Sequence, residues 1–180
     1  MTEKVDRPPP QLVFYQRAYV SGSLSNLFSQ PFTRVIRCDH WYPTGWASPG
    51  CVFPAYVPSV DISALPTIAK NIRLVQNRGI HIGQPGSGHP LHRNTGVQES
   101  NNNRSISCPE SVPRPTGYQC DEYPFASSFE GGAAMSPPNR ISAWLPAVEN
   151  SLQGQMLQDF YRTNRLIQGS PGDAYYVYAG

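Results

Sequence analysis

The sequence predicts a small mixed α+β domain in which antiparallel strands and two helices are joined by long loops rich in proline and glycine. Short runs of β-branched and aromatic residues recur along the chain, as they do in strands. Two other segments repeat apolar residues at helical spacing. The 19 prolines and 15 glycines among 180 residues require many turns and irregular connections. A chain of this length can also bury a substantial core.

The N-terminal half is predicted to be mostly extended. We expect residues 1–10 to be a disordered lead and residues 11–180 to form a single domain. Strand-like runs follow at three places, residues 12–20, 33–37 and 50–54.

One helix is predicted in this half, over residues 65–76. Ile68, Ile72 and Val75 recur at i, i+4 and i+7, which places them on one apolar face that packs into the core. Residues 78–96 form a predicted loop of glycine, proline and histidine, and the polar residues 101–104 are expected to be exposed.

The C-terminal half is predicted to run strand, helix, strand. Residues 140–146 alternate in polarity and stop at Pro146, and residues 174–178 form the last strand. The helix between them is expected to begin around Glu149, with Asn150 or Ser151 as its N-cap, and to continue to about residue 162. Gly154 lies inside this helix, where glycine is unfavourable, and it therefore predicts close packing or a close approach at this position.

The four cysteines are Cys38, Cys51, Cys108 and Cys120, and an even count in such a chain indicates two disulfides. Three pairings are possible, and the sequence does not choose among them. The short loops with proline and glycine favour Cys38–Cys51 and Cys108–Cys120. A zinc site is the alternative, but the chain has no Cys-x-x-Cys pair, the close spacing that such sites usually show.

The charge and hydropathy of the chain narrow the classes of partner. Charged residues make up 14% of the chain and the formal net charge is +2, which permits an anionic partner without requiring one. No stretch approaches the roughly 20 apolar residues of a membrane span, so no membrane association is expected. Residues 1–10 have no apolar signal core. We therefore expect either an export signal outside this sequence or another route of delivery.

Two adjacent carboxylates, Asp121 and Glu122, are the main candidates for chemistry. They precede Tyr123 and Pro124, and the proline pushes Tyr123 toward an extended conformation, so the acids lie on a stiff segment. From composition alone, a surface turn with two solvated acids is favoured. Glu149 and Asn150 are a second oxygen-donor pair that could hold Mg²⁺ opposite the carboxylates, with plain helix capping as the alternative.

Three histidines cluster in the predicted loop, at His81, His89 and His92. Their spacing fits no helical face, and Pro90 separates the closest two. Solvated loop histidines are therefore favoured over a metal site.

The C-terminal half also combines motifs that are weak singly and fairly specific together. They are Gly117-Tyr118-Gln119-Cys120-Asp121-Glu122-Tyr123-Pro124-Phe125-Ala126-Ser127, then Glu130-Gly131-Gly132, and Pro146-Ala147-Val148-Glu149-Asn150-Ser151 with Gly154. This combination resembles the NucA/NucB-type deoxyribonuclease family, in its long actinobacterial-type form. The clear match covers about residues 103–178, with fainter agreement back to about residue 33. The resemblance thus implies a catalytic core over about 103–178 and an N-terminal elaboration over about 11–102.

The resemblance implies a secreted, metal-dependent endonuclease that cuts DNA without sequence preference, with RNA as a second candidate substrate. The family is similar to the ββα-metal nucleases, so a strand–strand–helix catalytic core is expected. Asp121 would be the general base, and Asn150 would hold Mg²⁺ or Mn²⁺. Glu122, Glu149 or Glu130 would support the site, although members commonly carry Asp where this chain has Glu149. Cationic side chains are expected to grip phosphates, with Arg140, Arg162 and Arg165 as the candidates.

Two alternatives remain open at this stage. The first hundred residues, rich in proline and aromatic residues, could build a disulfide-stapled binding module without catalytic activity. The domain could also be the toxin part of a larger delivered protein, in which case a cognate inhibitor or immunity protein is expected as a partner.

Overall fold

The computed structural model describes residues 11–14, 18–20, 23–25, 32–39 and 49–180. Only the backbone is described at 11–14, 18–20, 23–25, 32–35 and 39. These residues form a small mixed α+β protein with three helices, mainly antiparallel strands and both favoured disulfides, Cys38–Cys51 and Cys108–Cys120. The predicted fold class and disulfide pairing are therefore confirmed. The predicted disordered lead, residues 1–10, lies outside the described residues.

The chain divides into two compact units, Met1–Tyr56 and Val57–Gly180. The described part of the first unit consists of short antiparallel pairs. Its strands are β1 (Gln11–Phe14), β2 (Ala18–Val20), β3 (Ser23–Ser25), β4 (Phe32–Val35), β5 (Arg37–Asp39) and β6 (Gly50–Val52). β1 pairs with β4, β2 with β3, and β5 with β6. Cys38 lies directly opposite Cys51 in the last pair, so the disulfide joins two neighbouring strands.

The second unit is built on a three-stranded sheet and the helix that follows its first strand. The sheet has the order β7 (Ser59–Asp61), β11 (Ala174–Tyr178), β8 (Leu91–His92), and β11 runs parallel to β7 and antiparallel to β8. Helix α1 (Pro66–Gln76) begins at a proline, whose missing N–H is no loss at the first helical position. Its buried face includes Ile68, Ile72 and Val75, as the periodicity predicts.

The remaining elements form the strand–strand–helix unit that the resemblance implies. β9 (Tyr118–Tyr123) pairs antiparallel with β10 (Ile141–Pro146), which leads directly into helix α3 (Ala147–Thr163). Asp121 lies opposite Ala143 and Glu122 opposite Ser142. Leu145 of β10 and Leu157 of α3 join α1 and the three-stranded sheet in one apolar core.

The predicted start of the last helix, around Glu149, is two residues too late, and the predicted N-caps Asn150 and Ser151 are wrong. The helix begins at Ala147, with Pro146 as its N-cap and no side-chain cap. The Ala147 N–H instead donates to the Gly117 carbonyl, 2.9 Å away, because β10 continues into the helix without a turn. Asn150 and Ser151 therefore lie inside the first turns of the helix.

The sequence also missed a helix, α2 (Val97–Ser107). It covers residues 101–104, whose predicted exposure is wrong at one position, because Asn103 is buried. The Asn103 amide donates to the carbonyls of Ala126 and Ser128, at 3.0 and 3.1 Å. A polar side chain thus fastens this helix to the loop after β9. Among the described helices, none has the length and apolar character needed to cross a membrane.

Candidate active site

A cleft of about 860 Å³ opens in the second unit beside β9. Its walls come from α2, from residues 108–114 and from the inner face of α3. Four consecutive residues of β9, Gln119 to Glu122, line it. The Cys108–Cys120 disulfide ties the 108–114 segment to the strand, which places this segment against the site.

The edge position of β9 explains how both neighbouring carboxylates reach one cleft. Successive side chains of a strand point to opposite faces, so Asp121 and Glu122 diverge. Of the strands that the structure describes, only β10 pairs with β9, which leaves the other edge of β9 unpaired. The cleft surrounds this edge and receives Asp121 from the α3 side and Glu122 from the α2 side.

Asp121 is a buried acid with an unusual affinity for its proton. Its residue is 7% exposed. Burial, and secondarily the nearby Glu122 charge, raise the pKa of Asp121 from 3.8 to about 7. Hydrogen bonds from the Glu122 N–H and from Gln153 lower this pKa in part. The Gln153 contact is weak, because the buried Nε2 of Gln153 has no hydrogen-bond partner of good geometry. The carboxyl therefore exchanges its proton near neutral pH.

Glu122 has a different environment on the other side of the strand. Burial raises its pKa, while the Arg104 guanidinium of α2 and the Ala126 N–H lower it. Arg104 Nε lies 3.8 Å from Glu122 Oε1. Glu122 Oε2 lies 3.4 Å from Cys108 Sγ. That is a packing contact, since a disulfide sulfur has no proton to donate.

The first two turns of α3 present amides to the cleft. Asn150 Nδ2 donates to Gln119 Oε1 at 3.0 Å, which leaves the Asn150 amide oxygen available as an acceptor. Gln153 follows one turn later, beside Asp121. Close packing at Gly154 is not observed, because a Cβ atom there would meet no atom within 4 Å apart from the backbone of its own helix, and a close approach at this position stays a prediction. This glycine lines the cleft and keeps it open.

Glu149 and Glu130 both lie outside the cleft. The Glu149 carboxylate turns toward α1, where it accepts from the N–H groups of Thr67 and Ile68 and from the Thr67 hydroxyl, at 2.8 to 3.3 Å. Glu130 accepts from the backbone N–H and the ring Nδ1 of His92, at 2.9 and 2.7 Å. Each of these acids joins two distant parts of the chain.

The predicted phosphate-binding arginines do not line the cleft. Arg140 donates to the Gly132 carbonyl, and Arg162 pairs with Asp159 on the same helix. Arg165 follows the helix with a φ of 51°. Their role in binding phosphate stays a prediction.

Two other arginines, Arg104 and Arg114, do line the cleft. Sequence reasoning missed them because Arg104 lies on the unpredicted helix α2 and Arg114 follows a disulfide whose pairing the sequence left open. The signal in the sequence that could have identified these two arginines is their proximity to Cys108. Both lie within a few residues of Cys108, and Cys108 is bonded to the residue before Asp121.

The oxygen donors of the cleft fit a hard divalent cation bound through few protein atoms. Carboxylate oxygens from Asp121 and Glu122 and the free amide oxygen of Asn150 all border the same space. The described residues contain no group of three or more His, Cys, Asp or Glu side chains placed to hold a metal. Mg²⁺ does not need such a group, since it commonly keeps several waters and uses one or two protein carboxylates.

The fold and the cleft define an α+β protein with a strand–strand–helix core and an acidic site at the edge of its first strand. The family model Deoxyribonuclease NucA/NucB matches residues 83–178, which is more than half of the chain. The protein therefore belongs to the NucA/NucB deoxyribonuclease family. Among curated proteins, none matches the chain.

Proposed function

We propose that this protein is a metal-dependent endonuclease that hydrolyses the phosphodiester bonds of DNA without sequence preference, with RNA as a second candidate substrate. Membership of a deoxyribonuclease family supports the reaction class. The observation that carries the proposal is the position of Asp121, a buried acid with a pKa of about 7, at the wall of an open cleft. A general base works best when its pKa lies near the working pH.

Asp121 is assigned as the base that takes a proton from the attacking water. An ordinary aspartate, with a pKa near 4, would be a weak base at neutral pH. Burial and the neighbouring Glu122 remove this disadvantage. The Gln153 amide lies beside Asp121 in the same cleft.

Asn150 and Glu122 are the residues that would hold Mg²⁺ or Mn²⁺, through the amide oxygen of the first and a carboxylate oxygen of the second. When bound, the cation neutralises charge that develops on the phosphate and the leaving oxygen. Gln119 fixes the rotamer of Asn150 by accepting from its Nδ2. Glu149, predicted as a further metal residue, is held at the start of α1, which supports a structural role instead.

Arg104 and Arg114 are assigned to the phosphates on either side of the cut. Both border the cleft, and Arg104 is oriented by its ion pair with Glu122. Contacts to phosphates position a strand without reading its bases, so they account for cutting without sequence preference. They also predict cleavage that weakens steeply with salt.

We further propose that the protein works in an oxidising compartment, outside the cell that makes it or after delivery as part of a larger toxin. Its two disulfides support this location, because such bonds are rare in reducing cytosol. If the protein is a toxin, a cognate inhibitor or immunity protein is its expected partner.

Plasmid cleavage tests the proposed activity. The wild-type protein should cleave supercoiled plasmid in the presence of Mg²⁺ or Mn²⁺. This activity should be lost in excess chelator and return when the cation is restored. Asp121→Asn should lower the rate by about 10²-fold or more, the usual contribution of a general base. Asp159→Asn is the matched control, because Asp159 is an exposed aspartate outside the cleft. Full activity in chelator, or in Asp121→Asn, would refute the assignment.

A further inference from the structure

One wall of the cleft is apolar, although the rest of the site is charged. Its members are Pro109, Val112 and Pro113 from the segment after α2, the Cys108–Cys120 disulfide, and Trp144 from β10. Neither the general base nor the cation requires this wall. It therefore indicates a further binding function within the same cleft.

Trp144 is the largest member of this wall, and its position follows from the strand register. It lies directly opposite Cys120, so both side chains project from the same face of the β9–β10 pair. Trp144 and Cys120 both line the cleft, although β9 stands between β10 and the unpaired edge. The side chain is partly buried and so keeps an open surface toward the cleft.

The surroundings of the wall fit one kind of occupant. Arg104 and Arg114 border the same cleft and attract an anion, whereas the indole and the prolines offer an apolar surface. A nucleotide combines these two properties, since its phosphate is anionic and its base has a flat apolar face. Tryptophan is among the side chains on which bases stack in proteins that bind single strands.

We propose that Trp144, with the wall formed by residues 108–113, is a stacking subsite for the nucleobase next to the phosphate that is cut. This inference rests on the proposed nuclease function and names its preferred substrate. A base can reach the wall only after it has left the stack of a duplex, which requires unpairing. The preferred substrate is therefore a single strand, or a duplex that is locally unpaired beside the cut.

The test is a double-mutant cycle that combines substitution of Trp144 with removal of the nucleobase from the substrate. Wild type, Trp144→Ala, Trp144→Leu and Trp144→Phe are assayed on short single-stranded oligonucleotides that carry one cleavable linkage. Each oligonucleotide has either a normal base or an abasic residue on one side of that linkage, with both sides tested in turn. Matched duplexes measure the preference for unpaired strands, and thermal melting of each variant measures stability.

The proposal predicts that removal of the base lowers kcat/KM of the wild type by about tenfold or more at one of the two positions, as expected for one stacked base. Trp144→Ala should lose about the same factor on the normal strand and show no further loss on the abasic one. In Trp144→Phe, kcat/KM should still depend on the presence of the base, whereas in Trp144→Leu this dependence should be lost. The preference for single strands over duplexes should fall in Trp144→Ala.

An equal loss in Trp144→Ala on normal and abasic strands would overturn the proposal, and it would make the tryptophan a purely structural residue. Unchanged cleavage by Trp144→Ala would also overturn it, and would leave the wall to another occupant such as an inhibitor protein. A wild type that cuts no nucleic acid would instead refute the nuclease function on which the subsite depends. The subsite alone fails if the wild type cuts nucleic acid but the effect of removing the base is the same with and without Trp144.

Discussion

The carboxylates that line the cleft differ in their surroundings from two carboxylates outside it, the buried Glu130 and the half-buried Glu149. Asp121 and Glu122 are 7% and 6% exposed, and Glu130 is 6% exposed. Glu130 accepts two hydrogen bonds from one histidine, and Glu149 takes three donors at the start of α1. Asp121 and Glu122 instead are adjacent on one strand and both line the cleft, on opposite sides of that strand.

This difference shows that burial alone does not identify a reactive acid. Polar groups removed from solvent are normally satisfied by hydrogen bonds, and Glu130 and Glu149 follow that rule. Asp121 also accepts hydrogen bonds, but its neighbours include a second carboxylate, and its pKa rises to about 7 as a result of burial and this charge. The comparison assigns chemistry to the cleft pair and structural support to Glu130 and Glu149.

The pH profile should show the largest effect. With a pKa of about 7, Asp121 loses its proton only near neutral pH, so the cleavage rate should fall about tenfold for each pH unit below that value. From pH 7 to pH 5 the expected loss is on the order of a hundredfold. Initial rates in saturating cation would measure it, and a flat profile over this range would remove Asp121 from the role of base.

The raised pKa of Asp121 also predicts how stability depends on pH. Stability should fall as the pH rises, whereas an ordinary salt-bridged aspartate makes it rise. The folded protein holds the proton of Asp121 more tightly than the unfolded chain, whose pKa is near 3.8. This stabilisation is complete below about pH 4 and is lost as the pH rises through about 7. In metal-free buffer, Asp121→Asn should therefore melt progressively higher than wild type as the pH increases from 4 to 8.

Glu122→Gln and Glu130→Gln should separate metal affinity from stability. Loss of a carboxylate that supports a metal typically weakens binding by about 10- to 100-fold, so Glu122→Gln should need more Mg²⁺ for half-maximal rate. Glu130→Gln should keep wild-type Mg²⁺ dependence and melt at a lower temperature, because His92 loses a charged partner. If Glu130→Gln is folded but inactive, the division between the two sets of acids fails.

Reduction of the disulfides should lower stability and activity together. The Cys108–Cys120 bond closes a short loop and holds residues 108–114 against the cleft, so its loss should cost about 2–4 kcal/mol. The pair Cys108→Ser and Cys120→Ser isolates this bond, and the pair Cys38→Ser and Cys51→Ser is its matched control. Chemical unfolding and plasmid cleavage measure both effects. Equal activity of the two double variants would show that the bond does not support the site.

Glu149→Ala should have the smallest effect. It removes the acceptor for two N–H groups at the start of α1, where Leu65 offers no side-chain cap, and should cost about 1–2 kcal/mol. Glu149→Gln keeps one acceptor oxygen and should lose less. Both variants should cleave normally at saturating Mg²⁺. A raised Mg²⁺ requirement in Glu149→Gln would restore this residue to the metal site.

The sequence predicted those parts of the fold whose stability comes from a repeated apolar pattern. Ile68, Ile72 and Val75 defined α1, and alternation defined β10. Helix α2 could not be found in this way, because Val97 and Ile106 are exposed and Asn103 is its one buried residue. Hydrogen bonds from Asn103 to the loop after β9 hold it in place, and no local pattern reports such distant contacts.

The candidate site was predictable to a similar extent. The pair Asp121 and Glu122 was visible in the sequence because the two residues are adjacent in it. The partner of Glu149 was not, since Thr67 lies 82 positions away in the chain. Arg104 and Trp144 likewise reach the cleft only through the disulfide and the strand register. Contacts between distant segments therefore decided every part of the site that the sequence left out.

The unpaired edge of β9 has a consequence for solubility. An open strand edge is a template on which another chain can add a strand and begin to aggregate. Here that edge lies inside a cleft that carries Asp121 and Glu122, and charged residues directed inward along an edge are one of the means by which proteins prevent such pairing. The acids that we assign to cleavage thus also protect the protein from self-association, so a variant that neutralises both would expose an uncharged edge.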